Sequence, residues 1–135
     1  MQNIRPISHS KWEISKHSFY QAYHFAMRYR EFKTYLKENS STVKARSADG
    51  LPGSTVMINA TEELAFKRAR ASKYCEMIEQ AAIEAAPDLH QYILKAVTNE
   101  GYTYEFLKNR MNIPCSRNTF YKLRRKFYYI LAQKM

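Results

Sequence analysis

Residues that interrupt helices are scarce in this chain. Only three glycines and four prolines occur among 135 residues, while Ala, Glu, Lys, Leu and the aromatic residues fill long stretches without a turn signal. A sheet protein needs many short strands separated by turn residues, whereas runs of strong helix formers favour helices. The sequence therefore predicts an all-α fold of four to five helices. A chain of this length also excludes the large enzyme folds and fits one modest domain.

Cysteines and long apolar runs are also scarce. The two cysteines, Cys75 and Cys115, have no Cys-x-x-Cys spacing and no signal peptide upstream. Both are therefore expected to be reduced thiols in a cytoplasmic protein. No apolar run approaches the roughly 18 residues that a membrane-crossing helix requires, so the sequence predicts no membrane partner.

Signals for catalysis, metals and cofactors are missing. The four histidines share no metal-ligand spacing with Cys or carboxylates, apart from the loosely spaced pair His17 and His24. Glu62 and Glu63 are typical of a helix start rather than of an acid–base pair. The chain contains neither a phosphate-binding glycine loop nor a nucleophile motif. We therefore expect no enzyme activity, no metal and no cofactor.

Positive charge is distributed unevenly along the chain. The formal net charge is +10, and residues 1–48, 49–100 and 101–135 contribute +6, −3 and +7. In the last segment, eight Lys and Arg residues are accompanied by a single acid, Glu105. An evenly solvated surface would not segregate charge in this way, whereas a protein that lays its C-terminal segment on a polyanion would. The alternative is a basic protein that uses its lysines for solubility.

The pattern along the chain predicts three regions. Residues 1–40 comprise a loose arm and an aromatic helix over residues 11–39 with a bend near residues 27–31, residues 41–58 form a linker, and residues 59–135 form a helical domain. The linker contains two of the three glycines together with many Ser and Thr residues, which are typical of a loop. It is either a mobile connection or a segment whose basic residues contact phosphate or a partner.

A second helix is predicted to begin near Asn59 and to end before Pro87. Asn59 and Glu62 have the spacing of an N-cap and its capping-box partner, and proline disfavours helical geometry in the preceding residue. Mostly small residues recur along this helix at alternating steps of four and three: Leu64, Arg68, Ala71, Cys75, Ile78, Ala82 and Ala85. Such a stripe serves either as an intramolecular core or as a homodimer seam. A third helix is predicted over residues 88–99, with Gly101 as its left-handed C-terminal cap.

The last 35 residues predict a helix-turn-helix between residues 103 and 131. Thr103 is the expected N-cap of a short first helix. Asn112 suits the following turn because Asn tolerates a positive φ, and Ile113 is expected to fill the core between the two helices. Ser116 is the expected N-cap of the second helix. This layout is typical of proteins whose second helix enters the major groove of DNA.

The second helix of this motif has two faces. Its apolar positions cluster within about a third of the circumference: Phe120, Leu123, Phe127, Ile130 and Leu131. The second arc, which is expected to face outward, contains Asn118, Tyr121, Lys122, Arg125 and Tyr129. The residues predicted to contact DNA are Arg117, Asn118, Tyr121, Lys122 and Arg125. Arg and Asn carry the forked donors and acceptors that match guanine and adenine edges, whereas the flanking Arg124 and Lys126 are predicted to contact phosphates. The alternative is a solvated basic helix near the C-terminus.

The residues that open this helix are typical of one family. Residues 116–121 read Ser-Arg-Asn-Thr-Phe-Tyr, and residues 113–127 resemble the end of the RinA/ArpU-type transcriptional regulators of temperate phages in Gram-positive bacteria, in which Ser-Arg-x-Thr-Phe-Tyr opens the recognition helix. The plan of the remainder is similar, with Tyr-x-x-Phe-Lys at residues 29–33, Asp-Gly-Leu-Pro at residues 49–52 and a helix opened by Ala-Thr at residues 60–61.

The resemblance implies a prophage-encoded activator of late or packaging genes that works in the cytoplasm of the bacterial host. Its C-terminal module would be similar to region 4 of sigma factors. The family's functional positions fall on Ser116, Arg117, Thr119 and Tyr121. The turn at residues 112–115 is longer than the family's usual Leu-Gly-Ile-Ser form, which affects the docking angle on DNA.

The sequence therefore predicts a sequence-specific regulator of transcription that binds double-stranded DNA. The complete set of predicted contact residues is Ser116, Arg117, Asn118, Thr119, Tyr121, Lys122, Arg124, Arg125 and Lys126. One alternative is a protein-binding factor that targets RNA polymerase or another host complex, and a second is a small terminase-like subunit for DNA packaging. The surplus of aromatic residues near the N-terminus and the stripe of small residues both favour a homodimer.

Overall fold

The described part of the chain is almost entirely helical. The structure, a computed structural model, describes residues 12–48 and 55–135, with the side chains of residues 12–38 and 60–135. Its helices are α1 (Lys16–Met27), α2 (Tyr29–Ala48), α3 (Thr55–Ala85), α4 (His90–Thr98), α5 (Tyr104–Met111) and α6 (Arg117–Lys134). Only Arg28 separates α1 from α2 along the chain, and when these two are counted together the described residues contain five helices and no strand. The predicted all-α fold of four to five helices is confirmed.

Local hydrogen bonds set both ends of α1. The Ser15 hydroxyl accepts a hydrogen bond from the Ser18 backbone N–H at 3.2 Å, which satisfies a donor without a partner inside the helix. At the other end the Arg28 N–H donates to the Phe25 carbonyl at 3.1 Å, a three-residue spacing that tightens the last turn. The helix therefore begins after Ser15 rather than near residue 11. It ends at Met27, within the stretch 27–31 for which a bend is predicted.

Two compact units divide the chain. Unit 1 comprises the residues up to Arg28 together with Met77–Met135, and unit 2 comprises Tyr29–Glu76. This division differs from the three predicted regions because α3, a single helix of 31 residues, contributes to both units. Residues 1–10, predicted as a loose arm, lie outside the described residues.

The predicted linker at residues 41–58 is largely helical. α2 continues to Ala48 and α3 begins at Thr55, while residues 49–54 lie outside the described residues. The part of the linker that extends α2 contains neither Gly nor Pro, and Ser and Thr each disfavour a helix by only about 0.5 kcal/mol. The prediction that Asn59 caps the second helix is wrong, because the earlier start of α3 places Asn59 in the helix interior.

The region between α3 and α5 also differs in detail from the prediction. α4 begins only at His90 because a turn precedes it, in which the Leu89 N–H donates to the Ala86 carbonyl at 3.1 Å. Gly101 adopts the predicted left-handed conformation, with φ at 81°. The C-cap of α4, however, is Asn99 in an extended conformation. Gly101 therefore belongs to the connection before α5 rather than to a helix cap.

The core of unit 1 lies where α1, α4 and α6 pack together, with α5 against α6. The side chains that these helices bury are Phe19, Ala22, Tyr23, Ala26, Ile93, Ala96, Val97, Leu107, Phe120, Phe127, Tyr128 and Leu131. The C-terminal end of α3 adds Ile78, Ala81, Ala82 and Ala85. α6 therefore turns one face inward and is packed against three other helices.

Unit 2 has a smaller core. Phe32 of α2 and Tyr74 of α3 pack with their ring centroids 5.3 Å apart, and Ala71 and Cys75 are buried. Most of the small-residue stripe of α3 is thus buried within the single chain, from Ala71 to Ala85. This burial favours the core interpretation of the stripe, and the homodimer stays a prediction.

Among the described residues, Tyr128 is the largest fully buried side chain. Its ring packs edge-on against Phe19 of α1, with centroids 5.1 Å apart, and contacts Tyr23 at 6.2 Å. Among the described residues the buried Tyr128 hydroxyl forms no hydrogen bond of regular geometry, although the Arg124 side chain lies close enough to interact with it. A buried polar group without a regular hydrogen bond costs free energy on folding, so the ring stabilises the core while the hydroxyl opposes it.

We expect Tyr128→Phe to raise the free energy of unfolding by about 1 kcal/mol, because it removes a buried hydroxyl that forms no regular hydrogen bond and keeps the ring. Equilibrium unfolding in urea would measure the change. Tyr121→Phe, at a half-buried position of the same helix, is the matched control and should have a smaller effect. A loss of stability in Tyr128→Phe would contradict the prediction.

The stability of the fold should also fall at alkaline pH. Burial raises the pKa of Tyr128 to about 12, although the charge of Arg124 opposes this shift, and an unfolded tyrosine has a pKa of about 10. The stabilisation that depends on the phenol proton is therefore complete below pH 10 and is lost as the pH rises toward 12. We expect the wild type to lose roughly 2 to 3 kcal/mol more than Tyr128→Phe across this window. Equal losses in unfolding experiments at matched pH values would refute this.

Candidate nucleic-acid interface

α5 begins and ends at the predicted residues. The Thr103 hydroxyl accepts a hydrogen bond from the Phe106 N–H at 3.2 Å, which confirms Thr103 as the N-cap. The helix ends at Asn112, whose φ of 51° and ψ of 50° lie in the left-handed region. Among the described residues, Asn112 is the one non-glycine residue with a positive φ. The sequence-based choice of Asn112 for the turn is confirmed.

The turn between α5 and α6 is fixed from both sides. Ile113 is fully buried, as predicted, and its N–H donates to the Leu107 carbonyl at 3.3 Å. The Tyr104 hydroxyl donates to the Cys115 carbonyl at 2.6 Å, and the Tyr104 ring packs 5.8 Å from that of Phe120. One aromatic side chain of α5 thus contacts both the turn and the first turn of α6, which sets the position of the second helix.

Ser116 caps α6. Its hydroxyl oxygen accepts a hydrogen bond from the Thr119 N–H at 3.2 Å and its hydroxyl donates to Thr119 Oγ1 at 3.0 Å. Both residues are exposed. The predicted N-cap is therefore confirmed, and the hydroxyls of Ser116 and Thr119 already contact each other in the capping arrangement.

The outward face of α6 presents a polar stripe, which we define as Asn118, Lys122 and Arg125. All three side chains are exposed, and their spacing of four and three places them on one side of the helix. Among the described residues, neither Lys122 nor Arg125 forms an ion pair. This polar stripe therefore offers two cations and one amide directly to the solvent.

Arg117 and Tyr121 lie beside the polar stripe and contact each other. The Arg117 guanidinium carbon is 5.5 Å from the centroid of the Tyr121 ring, a cation–π arrangement. Arg117 Nη1 also forms an ion pair with Glu105 Oε1 of α5. Arg117 is thus exposed but held by two neighbours, whereas the half-buried Tyr121 supplies the surface on which its guanidinium rests.

The two predicted phosphate contacts lie in different surroundings. Arg124 is half-buried, with its guanidinium 5.1 Å from the centroid of Tyr128. Lys126 is also half-buried, and its Nζ lies 5.2 Å from the centroid of Trp12, whose ring packs against Tyr129 at 5.3 Å. Both cations therefore contact aromatic rings of their own chain. They differ in this from the residues of the polar stripe, which are exposed.

The segment around Trp12 limits the open length of α6. Trp12 packs on Tyr129, the residue that follows Arg125 along the outward side of the helix. Near the C-terminus Lys134 Nζ pairs with Glu84 Oε2 of α3 at 2.6 Å. The open part of the polar face thus lies in the first half of the helix, from Arg117 to Arg125.

Two basic residues of α5 were not predicted as contacts. Lys108 and Arg110 lie in the last turn of α5 and are exposed. Burial raises the pKa of the Cys115 thiol, and the positive charge of Lys108 opposes this shift. The signal for these residues was available in the sequence as two cations in the last turn of the first helix.

Other kinds of site find no support in the described residues. No group of three or more His, Cys, Asp or Glu side chains is arranged there to hold a metal ion. None of the described helices combines the length and apolar character of a membrane span.

Comparisons of the chain with protein-family models, with curated proteins and with solved structures gave no match. The RinA/ArpU-type family therefore stays a prediction. The basis for assigning a function is the geometry of α5, the turn and α6.

The left-handed Asn112 generates a prediction for the stability of this region. Asn112→Ala should lower the free energy of unfolding by about 1 to 2 kcal/mol, because a Cβ-bearing residue other than Asn or Asp is strained at positive φ. Asn112→Gly is the matched control and should be close to neutral, since glycine adopts this conformation without strain. Thermal or urea unfolding would measure both, and equal effects of the two substitutions would argue against the turn geometry.

Proposed function

We propose that this protein binds double-stranded DNA and regulates transcription, with α5, the turn and α6 acting as a helix-turn-helix. The observation that carries the proposal is the exposed polar stripe of Asn118, Lys122 and Arg125 on a helix whose opposite face is buried. A helix can read bases only if its polar side stays clear of its own protein, and the first half of α6 meets this requirement.

The shape of α6 fits the major groove. A helix with its side chains is about 10 to 12 Å across, and the major groove is about 12 Å wide. Helix-turn-helix proteins insert the N-terminal residues of the second helix into this groove. In α6 the N-terminal half, from Arg117 to Arg125, is the open part, while Trp12 covers the surface around Tyr129. The open part of the helix is therefore the part that such docking uses.

The charges fit the same partner. The segment 101–135 carries a formal charge of +7, and Lys108 and Arg110 of α5 extend the positive surface beyond α6. Lysine and arginine provide most of the sequence-independent affinity for phosphates, whereas Asn and Arg on the groove side distinguish bases. The mixture on α6 supports a sequence-specific reader rather than a uniformly basic surface.

The regulatory role rests on the resemblance of residues 113–127 to the RinA/ArpU-type phage regulators. On the same basis we propose that the protein is encoded by a phage or prophage and acts in the host cytoplasm. RNA polymerase is the protein partner that such an activator would contact. A palindromic operator would require a homodimer, because two-fold symmetry in the site mirrors that of the protein.

Duplex binding should be strong at low salt and weaken steeply as salt increases, because phosphate contacts release counterions. Arg125→Ala should weaken binding to the preferred sequence by about 5- to 150-fold, which corresponds to 1 to 3 kcal/mol for a base contact. Lys126→Ala should have a smaller effect, because Lys126 lies over Trp12. Fluorescence anisotropy with a labelled duplex, selected from random oligonucleotides, would measure these values across a salt series.

Lys73→Ala is the charge-matched control for this experiment. Lys73 is an exposed residue of α3, so its loss changes the net charge equally without altering any residue of α6. An equal effect of Lys73→Ala and Arg125→Ala, or binding that does not respond to salt, would refute DNA reading by α6. Tight binding to RNA polymerase without binding to a duplex would favour the protein-binding alternative. A ring-sized oligomer in light scattering would favour the terminase-like alternative.

A further inference from the structure

We propose that Arg117 reads a guanine, and that Glu105 and Tyr121 are positioning residues that hold its guanidinium for this contact. The inference rests on the proposed DNA-binding function and names the base that one residue of α6 recognises. The geometry that supports it is the convergence of a carboxylate from α5 and an aromatic ring from α6 on one exposed arginine.

Arg117 is the first residue of α6, where helix-turn-helix proteins make base contacts. Its side chain is 63% exposed and that of Glu105 is 52% exposed. An exposed ion pair contributes little to folding stability. The function of this pair is to orient the guanidinium rather than to stabilise the fold.

The donors that remain on Arg117 match a guanine. An arginine has five N–H donors in a planar fork, and the ion pair with Glu105 involves Nη1. Nη2 and Nε keep donors that can point away from Glu105. Two parallel donors from one edge of a guanidinium pair with the O6 and N7 acceptors of guanine in the major groove.

The carboxylate beside Arg117 also discriminates between a base and a phosphate. Glu105 places a negative charge next to the guanidinium, which repels a phosphate but leaves a neutral base edge almost unaffected. Arg125 and Lys122 form no ion pair among the described residues and are equally suited to phosphate. Of the exposed cations on the open half of α6, Arg117 is thus the one whose surroundings favour a neutral acceptor.

The stacking on Tyr121 restricts the remaining freedom of the guanidinium. A long arginine side chain loses rotamer freedom when it binds, and holding it in place beforehand reduces that loss. The ring of Tyr121 lies under the guanidinium in a cation–π contact, while the ion pair with Glu105 limits the rotation of the group. The guanidinium is therefore already positioned before DNA binds. This positioning increases the affinity for guanine more than the affinity for the other bases.

The test uses the full chain and the preferred duplex from random-oligonucleotide selection. In anisotropy titrations, each guanine of the site is replaced in turn by adenine and by 7-deazaguanine, which lacks the N7 acceptor. Wild-type protein should lose about fivefold or more in affinity at one guanine with both replacements. Arg117→Ala should remove this discrimination at the same guanine and retain it elsewhere, and Arg117→Lys should remove most of it because lysine lacks the fork.

The variant Glu105→Gln tests whether Glu105 positions the Arg117 guanidinium. This nearly isosteric change should raise the affinity for unrelated duplexes, because one negative charge is lost, and should lower the guanine discrimination to a value between those of the wild type and Arg117→Ala. Glu100→Gln is the charge-matched control: Glu100 is exposed in the connection before α5, and its change should leave the discrimination unaltered.

Three results would overturn the inference. Unchanged discrimination in Glu105→Gln would show that Glu105 does not position Arg117. An equal loss of affinity for all sequences in Arg117→Ala, with a lower salt slope, would make Arg117 a phosphate contact. Absence of salt-dependent duplex binding by the wild type would overturn the proposed function itself, and with it the guanine contact. Thermal unfolding of each variant checks that the fold is intact.

Discussion

The burial of one face of α6 is the constraint on which the rest of the structure depends. The buried side of α6 consists of Phe120, Phe127 and Tyr128, and the helix packs against α1, α4 and α5. This packing fixes how α6 is rotated about its own axis. Once that rotation is set, the position of every polar residue on the helix follows. The apolar side of α6 thus determines which side chains of the helix can meet a partner, although it contacts no partner itself.

Local features of the sequence were sufficient for the ends of α5 and α6. The caps at Thr103 and Ser116 and the left-handed Asn112 depend on contacts within a few residues, and the rule for each is independent of the remaining fold. The surroundings of Lys126 could not be predicted in this way, because Trp12 is distant in sequence and reaches α6 only through tertiary packing. The extension of α2 was missed because weak Ser and Thr propensities were interpreted as a loop.

Positive charge on α6 occurs in three kinds of surroundings. Lys122 and Arg125 are open to solvent, Arg124 and Lys126 lie over aromatic rings, and Arg117 is paired with a carboxylate. A phosphate contact requires only positive charge, whereas the recognition of a base requires donors in fixed directions. A single short helix can therefore supply affinity and selectivity through different residues, although its composition suggests a uniform basic surface.

The packing of Trp12 on Tyr129 has a consequence for spectroscopy. Trp12 is the single tryptophan of the chain, and its indole lies against the ring of Tyr129 and beneath the ammonium group of Lys126. Indole emission responds to nearby charge and to stacking, so the tryptophan emission of the protein reports on the contact between Trp12 and the C-terminal half of α6. The molecule therefore contains its own optical reporter, which lies outside the proposed contact surface and responds to displacement of Trp12 from α6.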